Sequence, residues 1–371
     1  MVRTLIRGGL VITATEEVRA DVLVEGGRVA AVLAPDSGVD AAADEVIDAS
    51  GHYVIPGGVD GHTHMEMPFG GTFASDTFET GTRAAAWGGT TTIVDFAIQP
   101  AGGSAREGLE SGRTDPKHHG QVRHPVLEAE ATHRAVQLSR VAGSPLYVVH
   151  VSAAEAVRAI AAARDDGLNV FAETCPQYLF LDVDELARPG FEGAKYVCST
   201  PLRPVEHQES LWRGLRTNDL SVVSTDHCPF CFGQKELGRG DFSKIPNGMP
   251  GVEHRVDLLH QAVVEGRLSR RRWVELASTT PARMFGLHPR KGAIAPGSDA
   301  DLVVYDPNAE QVLSAETHHM NVDYSAYEGK RITGKVRTVL SRGDVVLDEG
   351  QYRGRPGRGR FLPRETCGYL V

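Results

Sequence analysis

Two textures of apolar and polar positions alternate along the chain, and the first change of texture falls near residue 55. Residues 3–50 alternate apolar with polar positions between Gly- and Asp-containing turns, as in "LIRGGLVIT", "ADVLVEGGRVAAVL" and "DEVIDASG". A period of two predicts short, half-buried antiparallel strands. The texture returns after residue 290 in "KGAIAPGSDADLVVYDP" and "GKVRTVLSRGDVVLDEG". Because edge strands need partners, the two chain ends, 1–55 and 288–371, are expected to build one small β-sandwich, with a C-terminal tail.

Across 56–287 apolar runs are followed by helical patterns, the βα alternation of an α/β chain with a parallel sheet or barrel, and a (β/α) TIM-like barrel is expected. The strand-like runs are "YVIPGGVDGH", "TTTIVDFAI" (90–98), "PLYVVHVS" (145–152), "LNVFAET" (168–174), "KYVCST" (195–200) and "SVVSTDH" (221–227). "AEATHRAVQLSRVAG", "AAEAVRAIAAARDDG" and "RRRWVELAST" carry apolar residues at helical spacing. A closed barrel of this type has eight strands, so this one is expected to be short by about two to three. The shortfall falls on "QPAGGSAREGLESGRTDPKHHGQVRH" (99–124), which is polar and has no run long enough for a buried strand.

Composition narrows the function class. The formal net charge of −9 opposes a nucleic-acid partner, which would require clustered Lys and Arg. Five cysteines (Cys175, Cys198, Cys228, Cys231 and Cys367) have no disulfide-framework spacing, which suits a reducing, cytoplasmic setting. No segment reaches membrane-spanning length and the N-terminus does not read as a signal peptide.

The chemistry concentrates at strand ends. In "GGVDGHTHMEM" (57–67), His62 and His64 are two apart on a strand and so share a face, a spacing that can grip one metal ion. The C-terminal ends of barrel strands meet at one face, where His150 ("YVVHVS") and Asp226 ("VVSTDHCPF") would join them. His227 is expected to point away from Asp226 by alternation. Cys228 and Cys231 read as structural, because no second C-x-x-C accompanies them. Asp76, Glu79 and Asp95 read as helix caps or surface groups. A metal held by His62, His64, His150 and Asp226 would activate water for attack on a polarised carbonyl, with Asp226 relaying the proton. The runner-up, a sugar- or phosphate-handling barrel, is disfavoured, since no Walker-type or G-x-G-x-x-G loop follows a strand.

These stretches, together with "AETCPQYLFLD" (172–182), "KYVCSTPLR" (195–203), "IPNGMPGVEHR" (245–255), "STTPARMFGL" (278–287) and "NVDYSAYEG" (321–329), resemble the dihydropyrimidinase and D-hydantoinase group of the amidohydrolase superfamily. The resemblance covers nearly the whole chain. It implies zinc, one or two ions, and a homotetramer. It also implies opening of small cyclic amides, dihydropyrimidines or hydantoins, to N-carbamoyl amino acids. His62, His64, His150 and Asp226 match metal ligands. Ser199 and Asn247 match positions whose backbone groups hold the ring's amide edge, and Met65 to Glu79 matches the loop that shapes the pocket.

The chain also departs from that pattern. Between Ala97 and Thr114 the family has a strand ending in a carbamoylated lysine that bridges two metals, then an oxyanion-binding Tyr and a strand with a further His ligand. None of these motifs is present. Lys117 falls in the polar connection, Lys195 at the wrong end of a strand, and Lys235, Lys244, Lys291, Lys330 and Lys335 in loops or the C-terminal region. At about 30 residues per βα unit the gap amounts to roughly three units. His118 and His119 read as a surface or substrate-gate pair. A second expectation is therefore a catalytically impaired relative that keeps the family shell and oligomer surfaces.

Overall fold

The computed structural model describes residues 2–35, 38, 43–69, 71–96 and 114–370. The departure from the family pattern at 97–113 lies outside the described residues.

Both chain ends do enter one sheet. The N-terminal part supplies β1 (Arg3–Ile12), β2 (Glu17–Glu25), β3 (Arg28–Leu33), β4 (Glu45–Asp48) and β5 (Tyr53–Pro56). The C-terminal part supplies β13 (Leu302–Val312), β14 (Arg331–Ser341), β15 (Asp344–Asp348) and β16 (Gln351–Tyr352). The order is β16-β15-β14-β13-β5-β1-β2-β3, with β4 also on β1. The seam is the antiparallel β5–β13 ladder, in which Val54 faces Val304 and Pro56 faces Leu302. One face buries Ile6, Val22, Val54, Leu302, Val304 and Leu340. On the edge away from β2, β1 serves two partners, β4 along Thr4–Arg7 and β5 at Leu10 and Val11, and its ladder with β2 shifts register between Ile6 and Gly9. Gly8 takes φ +75° at that shift, a conformation glycine adopts without a Cβ clash.

The apolar run "YVIPGGVDGH" was expected to be one strand and is two. β5 ends at Pro56 in the terminal sheet, and β6 (Gly58–Thr63) starts the barrel. Beside β6 lies β9 (Thr90–Asp95), in parallel register. A second parallel group comprises β10 (Leu146–Val148), β11 (Val170–Thr174) and β12 (Val222–Val223). The chain beyond β12 joins the groups, since Asp226 N–H donates to His62 O at 3.0 Å and His64 N–H to His227 O at 2.9 Å. Two short strands, β7 (Pro68–Phe69) and β8 (Thr72–Phe73), form a hairpin outside the barrel.

Five parallel barrel strands therefore stand among the described residues, in the sequence β9, β6, β12, β11, β10. The expected sixth, "KYVCST", is not one of them. Residues Pro189–Tyr196 form a 3₁₀ segment, and the Val197 carbonyl is taken by the Gly248 N–H and the Lys235 ammonium rather than by a strand neighbour. The predicted helices form at Pro125–Ala142, Ala154–Asp165 and from Arg270 onward. The first two pack together through Glu128, which accepts from Ser152 N–H (2.8 Å) and Ala153 N–H (3.0 Å) at the start of the second helix and pairs with buried Arg203 at 2.8 Å. No helix of the described residues is long and apolar enough to cross a membrane.

Candidate metal centre

His62 and His64 lie at the C-terminal end of β6 and just beyond it, and both are buried. Their shared face follows from strand alternation, and Asp60, two residues earlier on β6, anchors the strand beside them. The Asp60 carboxylate accepts from Thr225 Oγ1 at 2.6 Å and Thr225 N–H at 3.1 Å, which ties β6 to the segment carrying Asp226. Asp95 accepts from Met65 N–H at 2.8 Å and Thr63 Oγ1 at 3.1 Å, fixing the chain on either side of His64.

The partners of the two rings assign their tautomers. His62 Nδ1 lies 2.6 Å from Glu173 Oε1, and His64 Nδ1 lies 3.0 Å from Phe96 O. Both partners are acceptors, so each Nδ1 carries its hydrogen and each Nε2 is the atom left to take a proton or a metal ion. Those two Nε2 atoms face each other at 3.0 Å. Asp226 Oδ1 stands 3.1 Å from His64 Nε2 and 3.5 Å from His62 Nε2. Two imidazole nitrogens and a carboxylate oxygen at this range need a proton or a metal ion among them, and the set suits a divalent ion of the zinc type. The three side chains are the one cluster of metal-ligand type among the described residues.

Electrostatics agrees with that requirement. Burial opposes a charge on His62, but the carboxylates of Glu173, Asp226 and Asp60 overcome it and raise its pKa to about 9. Burial likewise opposes ionisation of Asp226, and His64, His62 and His150 together hold its carboxyl below its ordinary value. The pocket is organised to stabilise positive charge.

His150 lies beside this trio without converging with it. Its ring stacks on His62 with centroids 5.7 Å apart, and its Nδ1 is buried with no hydrogen-bond partner. An orphaned imidazole nitrogen next to three converging donors is what a further ligand position provides. His150 and Asp226 both hold left-handed backbone, φ +41° and +51°, which costs about 1–3 kcal/mol each for a non-glycine residue. Strain of this kind concentrates where side-chain aim outweighs backbone comfort.

Ser199 and Asn247 are brought together, with Ser199 Oγ donating to Asn247 Oδ1 at 3.2 Å. Their loops abut the cluster: Thr200 Oγ1 donates to His150 O at 3.0 Å, and Cys228 N–H to Met249 O at 3.1 Å. His227 points away from Asp226, and its Nε2 meets Asp76 at 3.0 Å. Cys228 and Cys231 are free thiols, as are the other three cysteines.

Three expectations fail. Asp76 is neither cap nor surface group: it is wholly buried, accepting from Asn321 N–H at 3.0 Å as well as pairing with His227, while Thr77 caps the helix. His119 is neither surface nor gate. It is packed inside, with Nε2 donating to Cys198 O at 2.8 Å and Nδ1 accepting from Arg123 at 3.0 Å, and only His118 is partly exposed. Lys235 is not a loop residue, since it ends the helix Phe232–Lys235 and is fully buried.

Two residues of the site were not singled out from sequence. Glu173, at the end of β11, is fully buried and grips His62 with one oxygen and the Tyr147 hydroxyl with the other, each at 2.6 Å. A carboxylate closing the apolar run "LNVFAET" is the same signal that marks Asp226. Tyr147, inside an apolar run, carries no such signal.

Comparison with known proteins places this geometry. The Amidohydrolase family profile matches residues 53–177 and 117–346. A D-hydantoinase of Streptomyces coelicolor is 60% identical over 466 aligned positions, covering 100% of this chain and 99% of that protein. A D-hydantoinase of Geobacillus stearothermophilus is 42% identical, covering 99% and 98%. The crystal structure of a dihydropyrimidinase from Brevibacillus agri superposes with a TM-score of 0.94 at 41% identity, covering 98% of this chain and 99% of that one. Since 466 positions face 371 residues with both ends matched, about 95 positions (466 − 371) of the Streptomyces protein have no counterpart, and they are internal.

Proposed function

Because the chain belongs to the amidohydrolase family, in its D-hydantoinase and dihydropyrimidinase group, we propose that it is a zinc-dependent hydrolase that opens dihydropyrimidines or hydantoins to N-carbamoyl amino acids. The observation that carries this reading is the convergence of the Nε2 atoms of His62 and His64 with the carboxylate of Asp226. His62, His64, Asp226 and His150 would hold the ion. When bound, zinc supplies polarisation of the ring carbonyl and an activated water at neutral pH. Asp226 takes the proton from the attacking water and returns it to the departing ring nitrogen. Ser199 and Asn247 offer backbone groups to the amide edge of the ring, and Glu173 keeps His62 in the ligating tautomer. The family's oxyanion Tyr has no match in this sequence, which lowers turnover by about two to three orders of magnitude relative to a relative that keeps it.

A second reading, a catalytically impaired relative that keeps the family shell, is favoured by the unmatched internal positions and by the five parallel strands among the described residues. Metal analysis with a ring-opening assay on dihydrouracil and hydantoin separates the two. About one zinc per chain with chelator-sensitive turnover supports the enzyme. Bound zinc without turnover supports the impaired relative.

A further inference from the structure

Lys235 has no exposed surface, and all three donors of its ammonium are taken by backbone carbonyls: Pro246 at 2.6 Å, Gly248 at 2.7 Å and Val197 at 3.1 Å. These three carbonyls bracket the residues that face the substrate in the reading above. Val197 is two residues before Ser199, and Pro246 and Gly248 flank Asn247 on both sides. The Val197 carbonyl also accepts the Gly248 N–H at 3.0 Å, so one oxygen joins both loops to the lysine. Ser199 and Asn247 are bonded to each other above this junction. The ammonium sits 5.6 Å from the centre of the Phe230 ring, on the segment that follows Asp226.

The geometry points to Lys235 as a positioning residue for the cyclic amide: its ammonium locks the 197–200 and 246–249 backbones in the spacing that grips the ring. The inference rests on the reading that these loops hold the amide edge. A buried charge is costly, and burial brings the Lys235 pKa down to about 7. A hydrocarbon side chain could fill the same space without that cost, but it would leave the Pro246 and Gly248 carbonyls without a donor and the Val197 carbonyl with the Gly248 N–H alone. What the lysine adds is a fixed direction for each of those carbonyls. The peptide N–H groups of the residues that follow them are aimed as a result.

Lys235→Met keeps the volume and removes the charge, and Lys235→Gln keeps a neutral donor. Amide hydrogen exchange and hydantoin affinity, read as Kd or as KM where turnover is seen, test the assignment on the metal-loaded protein. In the wild type the Gly248 amide exchanges slowly and excess hydantoin further protects 197–200 and 246–249. In K235M both segments exchange faster and hydantoin affinity falls by about 10- to 100-fold, while bound metal is unchanged and K235Q recovers part of the loss. A folded K235M with wild-type exchange and affinity overturns the role. If hydantoin protects neither segment in the wild type, the substrate reading fails instead, and the role falls with it. If both variants unfold, the ring-free wild type decides, because rapid exchange at Gly248 means the loops are not clamped.

Discussion

The molecule buries histidines in two settings with opposite results. At the barrel mouth, His62 is surrounded by carboxylates and its pKa is raised to about 9 despite burial. Among the packed helices and loops, His119 and His254 are driven by burial to about 3, with Arg123 adding to the effect at His119 and His318 at His254. Burial alone therefore makes an inert imidazole. Carboxylates converging on facing imidazole nitrogens favour positive charge instead, and the same side chain serves either purpose.

The largest test of that contrast removes a converging donor. His64→Ala should reduce bound zinc to background by atomic absorption, while His119→Gln, which can still donate to Cys198 and accept from Arg123, should leave zinc content unchanged. Equal loss in both would erase the distinction. Next in size, Glu173→Gln takes away the charge that holds the His62 tautomer without taking away a ligand. Zinc affinity measured against a competing chelator should fall about 10- to 100-fold, and an unchanged affinity would strip Glu173 of its orienting role.

The inert class makes its own prediction in acid. An unfolded imidazole takes up a proton near pH 6.5, whereas His119 and His254 in the fold resist it to about 3. The stability that these neutral rings allow at pH 7 is thus lost progressively as pH falls from about 6.5, by up to ~1.4 kcal/mol per pH unit for each ring. Urea unfolding at pH 7 and pH 5 should show H119Q with a shallower pH dependence than wild type, by about one proton. The smallest expected effect is at the neighbouring position. His118→Ala, on a partly exposed ring bonded to Gln121, should shift stability by no more than about 0.5 kcal/mol in the same experiment.

Much of the site was legible because strand alternation is local. Two histidines two residues apart share a face whatever surrounds them, and a carboxylate after a β-branched run marks a strand end, which is how Asp226 was identified. The same cue stands at Glu173, but nothing in "LNVFAET" says that this carboxylate reaches a ring on β6, 111 residues earlier. "KYVCST" looks like a buried strand by composition. It is not one because its carbonyl is claimed by Gly248 and Lys235, partners that only the folded chain brings near. Asp76 and His119 are buried against their local pattern for the related reason that burial of a polar group is a property of its neighbours.

The sequence by itself determined the periods: antiparallel strands at both ends, βα alternation between them, and the pairing of His62 with His64. These follow from backbone geometry, which acts over a few residues. Tertiary structure alone decided that β5 and β13 are the strands through which the two ends join, that His150 stands beside the converging trio and not within it, and that Glu173 and Lys235 hold the groups around the site. Those outcomes depend on which distant atoms are left to satisfy each buried donor, acceptor and charge, and no local period encodes that.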